Sequence, residues 1–268
     1  MIGTGMKSRP SLRHALLCGG LLASLGALHM PVAVQAHDVS AHDVSVERDI
    51  SGTWERYPED WAGPDPDNPI PPNGPFKLNE PYASAYDDLQ ERKAAANLAG
   101  TPLANSSTRC LPEGMPTIME AIYPIQIVQT DGQVIVLAEF LTQTRRIWLN
   151  DAMPPADEIS PSFNGHSVAR WEGDVLVIET QGVRPDVTYY GIPHTDDLRL
   201  TERIRRVDEE TLEDHVTIHD PTVFAEPYSF TLTYKKSDYR ISEYICENNQ
   251  IEVSDDGGSY LDLGEEDY

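Results

Sequence analysis

Positive charge is scarce in this sequence. Against 44 Asp and Glu it holds 20 Lys and Arg, for a formal net charge of −24. Phosphate-backbone binding and adhesion to an anionic membrane surface both need clustered Lys and Arg, so the composition argues against nucleic acid and lipid headgroups as partners. Long apolar runs are missing as well. After residue 36 no stretch of 18 apolar residues occurs, so no mature membrane-spanning helix is expected. There is no G-x-G-x-x-G, P-loop, H-E-x-x-H, EF-hand loop or C-x-x-C. Without these signatures neither a cofactor nor a metal is expected. What remains is a soluble, acidic globular chain, long enough for one large domain or two small ones.

The first 36 residues read as a secretory signal. Lys7, Arg9 and Arg13 form a basic start, Ala15 to Leu28 is apolar apart from Gly and Ser, and Val34-Gln35-Ala36 supplies small residues for cleavage after Ala36. The mature protein is therefore expected in the periplasm or outside the cell. Export leaves Cys110 and Cys246 as an even pair in an oxidising compartment, which predicts a structural disulfide. Closing so long a loop contributes roughly 4–5 kcal/mol on the chain-entropy model.

A flexible lead is expected over residues 37–50, with H-D-V-S repeated at its start, and Ser51-Gly52-Thr53-Trp54 then opens a first strand. Residues 58–81 hold eight prolines and form a loop. A helix follows over 82–99, with Asn79 as a plausible cap, Pro81 in its first turn and Gly100 as its stop. From 122 to 246 the pattern alternates with period 2. Strands are expected at 122–130, 133–141, 143–149, 166–171, 174–180, 198–207, 211–219, 228–236 and 239–246, several joined by tight turns. Such a meander curls into a closed antiparallel barrel, because closure removes its edges. The single β-barrel domain spans 51–250, and 251–268 is expected to be a disordered acidic tail.

Several segments resemble a large family of uncharacterised exported bacterial proteins. They are Arg109-Cys110-Leu111-Pro112-Glu113-Gly114-Met115-Pro116, Asn164-Gly165-His166-Ser167, Arg170-Trp171-Glu172-Gly173-Asp174, Pro193-His194, Thr201-Glu202-Arg203 and Glu243-Tyr244-Ile245-Cys246. The resemblance spans roughly residues 75 to 249 and implies export without implying an activity. This chain departs from the family at Ala169, where Gly is usual, and in its Pro-rich stretch and acidic tail. Gly52-Thr53-Trp54 is also similar to the Gly-x-Trp that opens lipocalin-like barrels, an analogy of fold only.

In an alternating strand, a charge on the apolar side is the informative exception. Glu139 shares a face with Ile135, Leu137 and Leu141; Glu202 with Leu198, Leu200 and Ile204; Glu243 with Tyr239, Ile241 and Ile245. All three are expected inside, where they need partners. His166 and Arg170 fall on one face of the hairpin around Gly173, opposite Thr180, Ile178 and Leu176, and could reach the same interior. Arg146 lies on the face of Thr144 and Trp148, and His194 occupies a loop at the barrel mouth. His215 and His219 face solvent, and Arg206 with Asp214 makes a surface cross-strand pair. The same interior charges also suit a structural network that pins sheet register.

Two functions fit. The first is a barrel that binds a small, partly apolar molecule in its interior. The second is a cofactor-independent lyase, isomerase or hydrolase. It would pair Glu202 or Glu243 with His166 or His194 as acid and base, and use Arg170 to hold an anionic group.

Overall fold

The structure is a computed structural model that describes residues 48–58, 65, 67, 69, 71–72, 74–120, 122–246, 251–255 and 257–261. The expected signal peptide, most of the lead and the end of the acidic tail lie outside the described residues.

Nine strands close into a barrel: β1 (Gly52–Tyr57), β2 (Ile125–Gln129), β3 (Gln133–Ala138), β4 (Gln143–Leu149), β5 (His166–Glu172), β6 (Val175–Gln181), β7 (Arg199–Asp208), β8 (Thr211–His219) and β9 (Tyr228–Ser237). The mainly β fold expected from the alternation is what forms. It differs from a pure antiparallel meander at one seam, where β4 and β5 run parallel. Parity explains the seam. Nine strictly alternating strands would bring the first and last together parallel; one parallel neighbour restores an antiparallel closure, and β1 does pair antiparallel with β9. The connection that makes this exchange is the long segment 150–165.

Closure also disposes of the strand expected at 239–246. β9 already has β8 on one side and β1 on the other, so no edge is left to pair with. Residues 238–246 instead run over the surface without regular structure. Beyond them β10 (Ile251–Val253) and β11 (Ser259–Leu261) form a two-stranded hairpin where a disordered tail was expected. It is anchored to the chain before it: Ser259 N–H donates to the Pro102 carbonyl and Ala104 N–H to the Gly257 carbonyl.

The two barrel ends differ. Tight hairpins join β2 to β3, β5 to β6 and β7 to β8 at one end. At the other lie the C-terminal end of β1, the start of β2, and the longer connections 182–198 and 220–227. Two helices serve that end. The surface helix α1 (Tyr82–Ala99) stops at Gly100, whose φ of 79° suits a glycine cap. Its first helical residue follows Pro81, and Asn79 does not cap it by a side-chain bond; its amide donates to the Pro221 and Thr222 carbonyls. Tyr82 and Tyr86 pack on the core. The single turn α2 (Thr117–Glu120) plugs the end, with Ile118 and Met119 almost wholly buried. Tyr234 ties the plug down by donating its hydroxyl to the Met119 carbonyl at 2.6 Å.

Side chains fill the interior. Trp54, Arg145, Tyr234, Phe230 and Leu176 are each less than 2% or about 2% exposed. A void of about 20 Å³ near Met115, Leu200 and Phe224 is room for about one water. The ligand chamber expected inside the barrel is therefore occupied by the protein itself. Cys110 and Cys246 form the expected disulfide, Cα atoms 5.5 Å apart, linking the 101–116 segment to the chain after β9.

Candidate functional site

Of the three carboxylates expected inside, Glu202 alone points into the barrel, and it is fully buried. Its partner is Arg145, not a residue of the β5–β6 hairpin. Arg145 Nη1 donates to Glu202 Oε1 at 2.7 Å and Nη2 to Oε2, while Nη2 also meets Ser167 Oγ at 3.2 Å and Thr180 Oγ1 at 3.1 Å. Asp214 lies beside them, cross-strand from Ile204 and Leu232 and wholly buried, so the expected surface pair with Arg206 does not form. Its oxygens meet no donor, and burial first, then the Glu202 charge, pushes its pKa well above the carboxylate range. Burial thus favours the neutral form of Asp214 beside the Arg145–Glu202 ion pair. Buried side chains surround this network.

The other candidates do not converge. In the β5–β6 hairpin the two-residue turn Gly173-Asp174 pairs Glu172 with Val175, which sets Ser167, Ala169 and Trp171 opposite Thr180, Ile178 and Leu176. His166, Val168 and Arg170 take the outer face. Arg170 is exposed and pairs with Glu172 at 2.9 Å and Glu179 at 3.0 Å; His166 is half-buried at the strand start. Arg146 points outward, since Gln143, Arg145, Ile147 and Leu149 form the inner face of β4. Glu139 is buried outside any strand, accepting from the Tyr239 hydroxyl and Ser242 N–H, and so anchors the 238–246 segment. Glu243 on that segment is exposed. His194 pins its loop, with Nε2 2.8 Å from the Arg184 carbonyl and Nδ1 3.0 Å from that of Thr195. His215 and His219 are exposed, as expected. The acid–base pairs expected from Glu202 or Glu243 with His166 or His194 are not assembled.

A different set of residues meets at the plugged end. A cleft of about 830 Å³ opens between α1, the 101–123 segment and the loop 188–191. Leu89, Leu103, Tyr123 and Phe140 give it apolar walls, and Tyr123 stacks on Phe140 with centroids 5.2 Å apart. Arg56, Arg92, Lys93 and Arg109 bring positive charge, and Glu113 and Glu120 the acids.

Glu120 is the most perturbed of these. It ends the plug turn, is 5% exposed, and accepts a hydrogen bond from the Tyr190 hydroxyl at 2.9 Å on Oε2. Burial pushes its pKa up to about 7, against the influence of the neighbouring Tyr189 and Tyr190 hydroxyls and the charge of Arg56. Arg56 Nη1 donates to the Glu120 carbonyl at 2.8 Å rather than neutralising the side chain directly. On the other edge, Glu120 Oε1 and the Tyr189 hydroxyl are buried and find no partner of hydrogen-bonding geometry. Burial and the Glu120 charge hold the Tyr189 and Tyr190 protons well above the usual phenol range, so both remain phenols. The ensemble can hold a proton near neutrality or present one to a molecule in the cleft. Burial also raises the Glu113 carboxyl and lowers the Lys93 ammonium, whose Nζ reaches the Tyr190 carbonyl at 3.3 Å.

Sequence reasoning passed over this site. Glu113 stands inside the R-C-L-P-E-G-M-P segment, but 101–121 carries no periodicity that would assign a face to Glu113 or Glu120. The Tyr189-Tyr190 pair was a usable signal: two adjacent aromatics before a Gly in a loop that must cap a barrel.

No family model and no curated protein matches the chain. Among solved structures, a mutant of the fluorescent protein UnaG aligns over 43% of this chain and 72% of its own, at 18% identity and a TM-score of 0.26. The barrel itself rests on its own strand pairing.

Proposed function

We propose that this is an exported barrel protein that binds a small, partly apolar molecule in the cleft at its plugged end. The observation that carries the reading is the cleft itself: about 830 Å³, with apolar walls, a few charged groups and a buried, perturbed carboxyl at its base. Export is supported by the basic and apolar pattern of residues 1–36 and by the disulfide, which persists in oxidising compartments. Among the described residues no helix is long and apolar enough to cross a membrane. Native mass spectrometry of the protein purified without denaturant tests the reading. A bound organic mass that is lost when Tyr123→Ala and Phe140→Ala are combined supports it; a mass unaffected by those changes, or no binding of any small apolar probe, contradicts it.

A second reading has its own support. A carboxyl with a pKa near 7, hydrogen-bonded to a phenol in a cleft, is equipped for general acid–base catalysis without a cofactor. Turnover of a cleft ligand should then follow a pH profile with an inflection near 7 that Glu120→Gln removes. Turnover that survives Glu120→Gln unchanged rules this reading out.

A further inference from the structure

Acids outnumber cations more than two to one along the chain, yet the cleft reverses the ratio, with four cations to two acids. Burial shifts Glu113 and Glu120 toward their neutral forms and Lys93 toward its own, so the guanidinium groups dominate the charge of the cleft.

Elsewhere most arginines are engaged; among the described residues Arg146 and Arg240 are exposed without such a partner, but neither lines the cleft. Arg170, Arg184, Arg203 and Arg205 pair with carboxylates, and Arg206 and Arg199 with backbone carbonyls. Arg92 and Arg109 stand out because both line the cleft: both side chains are exposed, and neither has a hydrogen bond or ion pair among the described residues. They approach from separate elements, α1 and the turn that precedes Cys110. In a chain so rich in acid, two unpaired guanidinium groups on one cleft are an available anion clamp. The remaining wall is apolar, through Leu103, Tyr123 and Phe140.

We infer that the ligand is a small amphiphilic anion, with a carboxylate, sulfonate or phosphate group held by Arg92 and Arg109 and an apolar body lying on Leu103, Tyr123 and Phe140. This rests on the binding reading above and adds the ligand's charge to it. The acidic remainder of the surface repels anions in general, so an anion must gain enough apolar contact and arginine bonding in the cleft to stay. Small hydrophilic anions do not meet that condition.

Two fluorescent probes of similar shape separate the claims: 8-anilinonaphthalene-1-sulfonate, which is anionic, and N-phenyl-1-naphthylamine, which is uncharged. The sulfonate binds the whole protein at least about tenfold more tightly than the amine. Arg92→Gln with Arg109→Gln weakens the sulfonate about tenfold and leaves the amine unchanged within about twofold, as loss of partly exposed charge-assisted bonds implies. Both positions are exposed, so the thermal melt should not move. Raising salt should weaken the sulfonate alone. Equal affinity for the two probes, or sulfonate binding indifferent to both substitutions, overturns the anionic class and leaves the binding reading in place. Failure of both probes to bind removes the binding reading itself.

Discussion

Glu120→Gln should make the protein more stable above neutral pH, and the gain can be worked out from the structure. The Glu120 carboxyl titrates near 4.5 in the unfolded chain and at about 7 in the folded one. Between those values the unfolded state has released its proton while the native state retains it. Stability therefore falls as pH rises through the window, at up to 1.36 kcal/mol per unit. Over about 2.5 units this amounts to roughly 3 kcal/mol, fully absent below about 4.5 and fully expressed above about 7. Gln at this position does not titrate and keeps an oxygen to accept from Tyr190, so it escapes the loss. Urea unfolding of the wild type and variant at half-unit steps from pH 4 to 9 isolates the group, because every other titration cancels in the difference. The variant's relative stability should climb with pH and level off near 7.5. A flat difference, or one that falls with pH, would mean that Glu120 is ionised in the native state and that Arg56 compensates its burial.

Arg145→Met should cost about 3–5 kcal/mol by urea denaturation, because it strands Glu202 beside Asp214 in a dry interior; adding Glu202→Leu should recover most of that. A neutral single variant would contradict the pairing. Reducing Cys110–Cys246 opens a loop of 136 residues and should remove about 5 kcal/mol on the chain-entropy model, read by calorimetry with and without reductant; an unchanged melt would refute it. Gly165→Ala should destabilise by about 2 kcal/mol or more, since Gly165 has φ of +65° and a Cβ there would lie 2.6 Å from the Gln181 carbonyl oxygen. Gly132→Ala, with nothing within 4 Å, is the control and should fold normally.

Much of the barrel is readable in the sequence because half-buried strands must alternate. Leu200, Glu202 and Ile204 share the inner face of β7, and the sequence pattern alone shows it. Turn chemistry was the weak point. A turn of three residues around Gly173, in place of the actual two, shifts the pairing by one, and a one-residue slip exchanges the two faces of a strand. That is why His166 and Arg170 were expected inside and Ser167 was not. In β4 the pattern singled out Arg146, on the face of Thr144 and Trp148, whereas its neighbour Arg145 lies on the inner face and anchors the interior. Asp214 was misplaced for a related reason. A carboxylate pushed toward its neutral form looks in sequence like any surface acid, and only its burial beside Glu202 reveals it. The cleft was the least legible part, because it joins residues from β1, α1, α2 and the 182–198 loop, and no periodicity relates them. The seam between β4 and β5 follows from strand parity once closure is assumed, but its location does not.

The most direct test of the account is a crystal structure of the protein with 8-anilinonaphthalene-1-sulfonate bound. The account predicts the probe in the plugged-end cleft, its rings on Tyr123 and Phe140 and its sulfonate between Arg92 and Arg109, with the Arg145–Glu202 interior undisturbed. Probe density inside the barrel, displacing the side chains around Arg145, would contradict both the filled interior and the cleft as the binding site.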